Sequence, residues 1–561
     1  MFSDKKQVLI LAALLEAHGI QHVVLCPGSR NIALVHTLSA MPSFTCHAVT
    51  DERSAAFFAL GLALQSGKPA AVCCTSGTAL LNFHPAVAEA FYQEVPLLIL
   101  SADRPARWIG QMDGQTLPQP NVFKSLVKAS VNLPEVANAS DETFCNRLVN
   151  EALLALTHRA PGPVHINIPI SEPFFDTPVH TLPTVPVIQR LWGVRLDNAL
   201  PELAHAFERA TRRLAVVGQM PFATDWHRDV RTQLSESVCW VGEHLANHQA
   251  PEILLGTFDR LLAALSDEQR TTLAPDFLIT FGGHIVSKAL KQTLRQHPPQ
   301  VHWHIDPQGR VVDLFGALTH VIEMEPTQFF SALLPHLSHS LANDYPHTWK
   351  RLAQTLPTPH VDWSAIGATG RVLGALPPDT VLHLANSSVI RYAQQFTLSS
   401  TVTVHANRGT SGIEGSLSTA VGFAAADHRL NVMMIGDLSF FYDMNALLNV
   451  PKMGINHLRI VLLNNACGEI FHALPGLNLD ERGRKFIAAE HHTTAKAWAN
   501  DQGFHYEAVH SYDDLEATLP DFMSLEGDQP RLIEVFTNAE KDIQVLHAMK
   551  RTDQAALRNR L

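Results

Sequence analysis

One pattern constrains this chain more than any other. A short aliphatic or β-branched run ends in a polar loop, a helical stretch follows, and the unit recurs along the whole length. In the first 170 residues HVVLC (22–26) leads into PGSR, FTCHAV (44–49) into DERS, AAVCCT (70–75) into SGTA, and PLLIL (96–100) into SADRP. Runs without alternation are those of strands covered by helices on both faces, so the pattern predicts a doubly wound parallel α/β sheet. On such a sheet ligands bind beyond the carboxyl ends of the strands, which makes Ser29, Arg30, Glu52, Ser76, Thr78, Asp103 and Arg104 candidate site residues.

GPVHINIPISEP (162–173) closes this unit, and DTPVHTLPTVPVIQR, with three prolines and no periodicity, reads as a linker. A second unit follows through RLAVVGQM (213–220), VCWVGE (238–243), DFLITFGGH (276–284) and VHWHID (301–306). FGGH reads as a tight strand-to-helix turn, since no GxGxxG accompanies it. Lys288, just beyond, is placed at a helix start facing a neighbouring cleft. A second proline-rich junction, LPTPHVDW (356–363), precedes the third unit, which has the same order of strand, polar turn and helix as the first. The expected architecture is three doubly wound α/β domains at 1–178, 190–345 and 360–561, the outer two an internal duplication.

With 561 residues, the length itself suggests three or four domains. A net charge of −11 from 42 basic and 53 acidic residues, without long runs of either sign, argues against nucleic acid or an anionic membrane as the main partner. Seven cysteines without a CxxC pair read as reduced thiols and point to the cytoplasm. The apolar N-terminal stretch is broken by Glu16 and His18, lacks a cleavage site, and reads as a helix ending at Gly19. No run reaches the roughly 18 to 20 apolar residues of a membrane span.

Chemistry is densest between Gly436 and Phe471. The strands 431–435 and 458–463 end in Gly436-Asp437 and Asn464-Asn465, which should face one crevice. Asp437 offers a carboxylate, Asn465 an amide oxygen and Cys467 a backbone carbonyl. With two diphosphate oxygens and a water these make the six-oxygen shell that a hard cation prefers. Asn and Asp also favour turns, so the pair leaves a structural reading open, as does Glu52 at a helix start.

Taken together, these elements resemble the thiamine diphosphate (ThDP)-dependent decarboxylase superfamily over nearly the whole chain. CPGSRN, DERSAAFFALGLA, TSGTALLN, SADRP, NRGTSGIEGSLSTAVG and GDLSFFYDMNAL are similar to its menaquinone-pathway branch. The resemblance implies ThDP with Mg²⁺ or Mn²⁺ as cofactors, decarboxylation of 2-oxoglutarate, and 1,4-addition of the succinyl carbanion equivalent to isochorismate. It implies that Glu52 promotes the imino tautomer of the aminopyrimidine ring, which then deprotonates the thiazolium. Arg30, Arg104, Ser387, Arg391 and Arg408 join Glu52 as implied catalytic residues. Ser387 and Arg391 are implied to take the succinyl carboxylate, and Ser29, Arg30, Arg104, Gln115 and Lys288 mainly isochorismate. Phe471, Leu474 and Ile470 form an apolar wall. Cofactor contacts are implied for Pro27, Glu52, Ser388, Ile413 as a bulky wedge, Gly436, Asp437, Leu438, Ser439, Asn465, Gly468 and Ile470, with Asp437, Asn465 and Cys467 on the metal. A homodimer at least, with a homotetramer as the full assembly, follows from the same resemblance.

Three departures stand out: Gly114 in place of an Asn before Gln115, Asp113 close to where a dianion would bind, and Cys467 at a usual Gly position, where it is expected to narrow the loop's conformations. Two other readings are a ThDP lyase with another acceptor, such as an acetohydroxyacid synthase with an FAD site, and a non-catalytic ThDP-fold binding protein. The second predicts loss of Glu52 or the metal pair, and both are intact. An unrelated nucleotide-binding enzyme is disfavoured by the missing P-loop and GxGxxG.

Overall fold

The computed structural model describes residues 1–172, 179–188, 199–221, 228–247, 254–310, 312–338, 342–473, 480–558 and 560. Of the predicted linker 176–190, residues 179–188 are described and the rest lie outside. The aliphatic runs form three six-stranded sheets. The first contains β1 (His22–Leu25), β2 (Thr45–Ala48), β3 (Ala70–Cys74), β4 (Leu97–Asp103), β5 (Ala129–Asn132) and β6 (Val164–Pro169), in the order β2-β1-β3-β4-β6-β5. The second contains β7 (Arg213–Val217), β8 (Cys239–Gly242), β9 (Leu254–Leu255), β10 (Phe277–Phe281), β11 (Val301–Ile305) and β12 (His320–Ile322), ordered β12-β11-β10-β7-β8-β9. The third contains β13 (Val381–Leu384), β14 (Thr403–His405), β15 (Asn431–Gly436), β16 (Leu458–Asn464), β17 (His505–Val509) and β18 (Arg531–Phe536), ordered β14-β13-β15-β16-β18-β17. All recorded pairings in these sheets are parallel.

Strand for strand, the first and third sheets have the same order, which is the expected duplication. The middle sheet instead reverses direction between β7 and β10, the doubly wound arrangement of dinucleotide-binding folds. Its helices enclose an aromatic core in which Phe277 meets Trp303 edge-on at 4.6 Å.

The outer units share one core. Helix Glu52–Ser66 crosses helix Ser416–Ala424 so closely that a Cβ on Gly61 would stand 2.1 Å from the Thr419 carbonyl, and one on Gly422 2.1 Å from that of Phe58. Only glycine permits that approach, and it fixes the start of the Glu52 helix relative to the third unit. The final helix, Ala539–Leu557, runs back to the middle unit, where buried Asp553 pairs with buried Arg260, whose Nε donates to Oδ2 at 2.6 Å. The expected N-terminal helix is present at Lys6–Ala17, packed on the first sheet. No helix among the described residues is long and apolar enough to cross a membrane.

Candidate active site

The first half of the site lies beyond β1, β2 and β4. Gly28 lies so close to Thr75 that a Cβ would meet the Thr75 Cβ at 2.4 Å, and the Arg30 amide donates to Thr75 Oγ1 at 3.2 Å. This tight PGSR turn leaves Pro27 and Ser29 exposed while burying Arg30. The Arg30 guanidinium donates to the Ile170 carbonyl at 3.1 Å and pairs with Glu172 at 2.9 Å. Glu52 opens its helix behind the N-cap Asp51, which accepts from the Ser54 amide at 3.1 Å. Its charge is felt by the buried thiols Cys26 and Cys74. Arg104, just past β4, pairs with Asp113 at 2.9 Å, and its Nε is buried without a partner.

Beneath these residues lies a polar network of which the sequence had singled out only Asp103. Buried Gln119 donates to Asn167 Oδ1 at 2.9 Å and accepts from the Gly77 amide at 2.8 Å; Asn167 donates to Asp103 at 2.8 Å. It pins the 106–121 loop to β4 and β6. Gln115 sits on that loop with φ 55, exposed, its backbone 3.1 Å from where a Gly77 Cβ would be. A signal for this network was available: Ser101, Asp103, His165 and Asn167 are polar residues on otherwise apolar strands.

The second half lies beyond β13 to β16. Asp437 begins helix Asp437–Asp443; Oδ1 accepts from the Leu438 amide at 2.6 Å and Oδ2 from the Asn465 amide at 3.1 Å. The two strand ends therefore meet, as their polar knots predict. His491 Nε2 lies 3.3 Å from Asp437 Oδ2, a neighbour the sequence did not reveal. Cys467 is buried, and burial, first, with the nearby carboxylates pushes its thiol up to about 12, so it stays protonated. The loop's left-handed residue is Ala466, at φ 65, the neighbour of Cys467. Gly468 is anchored to the Ala488 carbonyl at 2.6 Å, and Phe471 packs on Cys467, Ala488 and Ala539. Ile470 is half-buried, and Leu474 lies outside the described residues. Ser439 Oγ donates to the Ile413 carbonyl, tying Ile413 to the helix that Gly436 caps and that contains Leu438.

Ser387 holds a φ of 72 at the start of helix Ser388–Ala393, a strained conformation for a residue with a side chain. Arg391 Nη1 donates back to the Ser387 carbonyl at 3.0 Å, and Arg408 Nη1 to Asn386 Oδ1 at 2.6 Å. Each of these arginines has a buried Nε with no partner.

The middle unit faces them with two acids, Glu243 buried and Asp259 half-buried. Glu243 accepts from the amides of Val286 at 2.8 Å and Ser287 at 2.6 Å, and Ser287 donates to Asp259. Burial pushes the Glu243 carboxyl up to about 7 against these hydrogen bonds. Burial likewise bears on the charges of Arg391 and Arg408, opposed by Asp259 and Glu243 respectively. Lys288 is exposed at the first position of helix Lys288–Gln296. Lys291, one turn on and half-buried, feels Glu243, Arg408 and Arg391.

This chain matches two family models: "Thiamine pyrophosphate enzyme, N-terminal TPP binding domain" over residues 7–125, and the corresponding C-terminal TPP binding domain over 387–535. A 2-succinyl-5-enolpyruvyl-6-hydroxy-3-cyclohexene-1-carboxylate synthase of Bacteroides thetaiotaomicron is 54% identical over 97% of this chain and 98% of its own. Synthases of the same name from Phocaeicola vulgatus and Flavobacterium johnsoniae are 53% and 36% identical, covering 99% and 93% of this chain and 100% and 94% of their own. The chain belongs to this synthase family.

The oxygen donors at the ends of β15 and β16, one carboxylate, one amide and one carbonyl within a single crevice, are of the kind a hard cation prefers. Asp437 Oδ2 accepts from the Asn465 backbone amide at 3.1 Å, which brings the loop that carries the Asn465 side chain against the carboxylate. Glu52, by contrast, lies in the first half. Within the chain its neighbours Asp51 and Arg53 contact Asn445 at 3.1 Å and the Tyr442 carbonyl at 2.6 Å. Those contacts are at the far end of the helix that Asp437 begins, about 10 Å away for seven residues.

Proposed function

We propose that this chain catalyses the ThDP-dependent decarboxylation of 2-oxoglutarate and 1,4-addition of the succinyl carbanion equivalent to isochorismate. The products are CO₂ and 2-succinyl-5-enolpyruvyl-6-hydroxy-3-cyclohexene-1-carboxylate, a step of menaquinone biosynthesis. The observation that carries the reading is the pair of guanidinium groups of half-buried Arg391 and buried Arg408, each with a buried Nε donor unspent beside the diphosphate half of the site. A guanidinium suits bidentate carboxylate binding and stays charged when buried, and both substrates are dicarboxylates.

Bound ThDP supplies the carbon nucleophile and the electron sink for loss of CO₂. Asp437, Asn465 and the Cys467 carbonyl hold the cation, Mg²⁺ or Mn²⁺, and Gly436, Leu438, Ser439, Gly468 and Ser388 line the diphosphate. Glu52 holds a proton against the pyrimidine ring, and Ile413 wedges the cofactor. Arg391 and Ser387 bind the succinyl carboxylate, Arg408 the reacting carboxylate region. Ser29, Arg30, Arg104, Gln115 and Lys288 receive isochorismate, while Ile470, Phe471 and Leu474 keep water from the reacting carbons. The unit boundaries 1–178, 190–345 and 360–561 and a cytoplasmic location go with this reading. So does a homodimer at least, built up to a tetramer: Glu52 and Asp437 lie beyond strands of two different sheets, and a second copy is expected to complete each site.

The test incubates the purified protein with ThDP, Mg²⁺, 2-oxoglutarate and isochorismate and follows loss of isochorismate absorbance. Consumption that depends on all four supports the reading. Persistence of isochorismate while pyruvate is consumed in a parallel assay would favour a ThDP lyase with another acceptor.

A further inference from the structure

The two arginines of the first unit share a feature that their assigned role does not explain. Each is already paired with a carboxylate of this chain. Arg30, 5% exposed, meets Glu172, and Arg104, 20% exposed, meets Asp113. Both partners come from segments after the strands that carry the arginines, and both are far more accessible, at 64% and 35%.

The contacts are of one kind. Glu172 offers Oε1 to a single terminal nitrogen of Arg30 at 2.9 Å, and Asp113 offers Oδ2 to a single terminal nitrogen of Arg104 at 2.9 Å. The other Asp113 oxygen is spent on the Gly114 amide, 2.9 Å away. The flanking Met112 and Gln115 have φ of 59 and 55, so a strained loop aims this carboxylate at Arg104. Arg104 keeps a buried, unpartnered Nε. A one-point, solvent-washed pair is a weak attachment, worth about 0 to 1 kcal/mol. A bidentate carboxylate on the same guanidinium is stronger.

We propose that Asp113 and Glu172 are internal stand-ins for the two carboxylates of the acceptor. They neutralise Arg104 and Arg30 while the site is empty, and the incoming dicarboxylate displaces them. The proposal rests on the assignment of these arginines to the acceptor. It accounts for an aspartate where a dianion must bind. The stand-ins keep one buried and one half-buried cation compensated, weaken capture of ambient anions, and lower the affinity of the acceptor site without touching the donor site at Arg391.

Steady-state kinetics on the holoenzyme test this with Asp113→Asn and Glu172→Gln, which keep hydrogen-bonding capacity and remove charge. Each should lower the KM for isochorismate by about two- to five-fold, the span of a weak ion pair, with the KM for 2-oxoglutarate moving less. Each should also make inorganic phosphate a stronger competitor of isochorismate. Loss of a merely structural contact would not sharpen phosphate inhibition. Arg104→Ala is the companion variant. If it raises the isochorismate KM while Asp113→Asn leaves that constant unchanged or higher, the stand-in proposal is overturned and the arginine assignment survives. If Arg104→Ala does not move it, both fall.

Discussion

Glu52 and Glu243 are both carboxylates following a strand end, and they require opposite tests. Glu52 is half-buried at a helix start, with little of its side chain committed to protein partners. Glu52→Gln should abolish turnover while ThDP–Mg²⁺ binding, followed by quenching of tryptophan fluorescence, persists. Unchanged turnover would reject its proton-holding role. Glu243 is committed to two backbone amides and is pushed up from 4.5 to about 7. Its native carboxyl keeps its proton to higher pH than the unfolded chain's, so between those values the folded state binds more protons. The contribution therefore falls as pH rises, on the order of 3 kcal/mol across the window. In urea melts at pH 5 and pH 8, Glu243→Gln should show a smaller drop in stability than wild type; an identical drop would remove Glu243 from the account. Arg391→Ala should chiefly raise the 2-oxoglutarate KM, and an effect confined to isochorismate would reverse its assignment.

At the scale of elements, the close crossing of helices 52–66 and 416–424 has little tolerance. A Cβ at Gly422 would lie 2.1 Å from a backbone carbonyl, which cannot rotate away as a side chain can. Gly422→Ala should cost about 3 kcal/mol or more and lower the denaturation midpoint. A variant melting with wild type would mean the helices are not so closely engaged. Elements were legible in the sequence where a strand is aliphatic throughout and ends in chemistry: β1, β3, β4, β15 and β16 fit that description. Strands β5, β9, β12, β17 and β18 were not read. β9 has two residues and β12 three, too few for a pattern, and β17 is an edge strand with exposed positions. β18 is buried but interrupted by Arg531 and by Glu534, which holds Asn464 at 2.7 Å and the Ala495 amide. The candidate site divides similarly. Asp437 and Asn465 follow from strand ends, whereas His491 and Gln119 reach the site from loops with no periodicity, and no local pattern announces them.

Over the whole molecule, the last helix makes the middle unit part of the third. Arg260 and Asp553 are 6% and 3% exposed, and Arg260 also donates to the Pro357 carbonyl at 2.7 Å. Removing one partner leaves a buried charge uncompensated, so Asp553→Ala should cost about 3 to 5 kcal/mol. Chemical denaturation checks it, and a loss below about 1 kcal/mol would mean that water reaches the pair. The identical strand order of the outer sheets has a consequence for cofactor uptake. A chain that carries the same kind of crevice twice, one lined by Glu52 and one by Asp437, holds two unlike halves and, in the proposed dimer, no whole site of its own. Cofactor occupancy and subunit association are then one equilibrium seen from two sides. Added ThDP and Mg²⁺ tighten the dimer, and dilution of the protein loosens the cofactor.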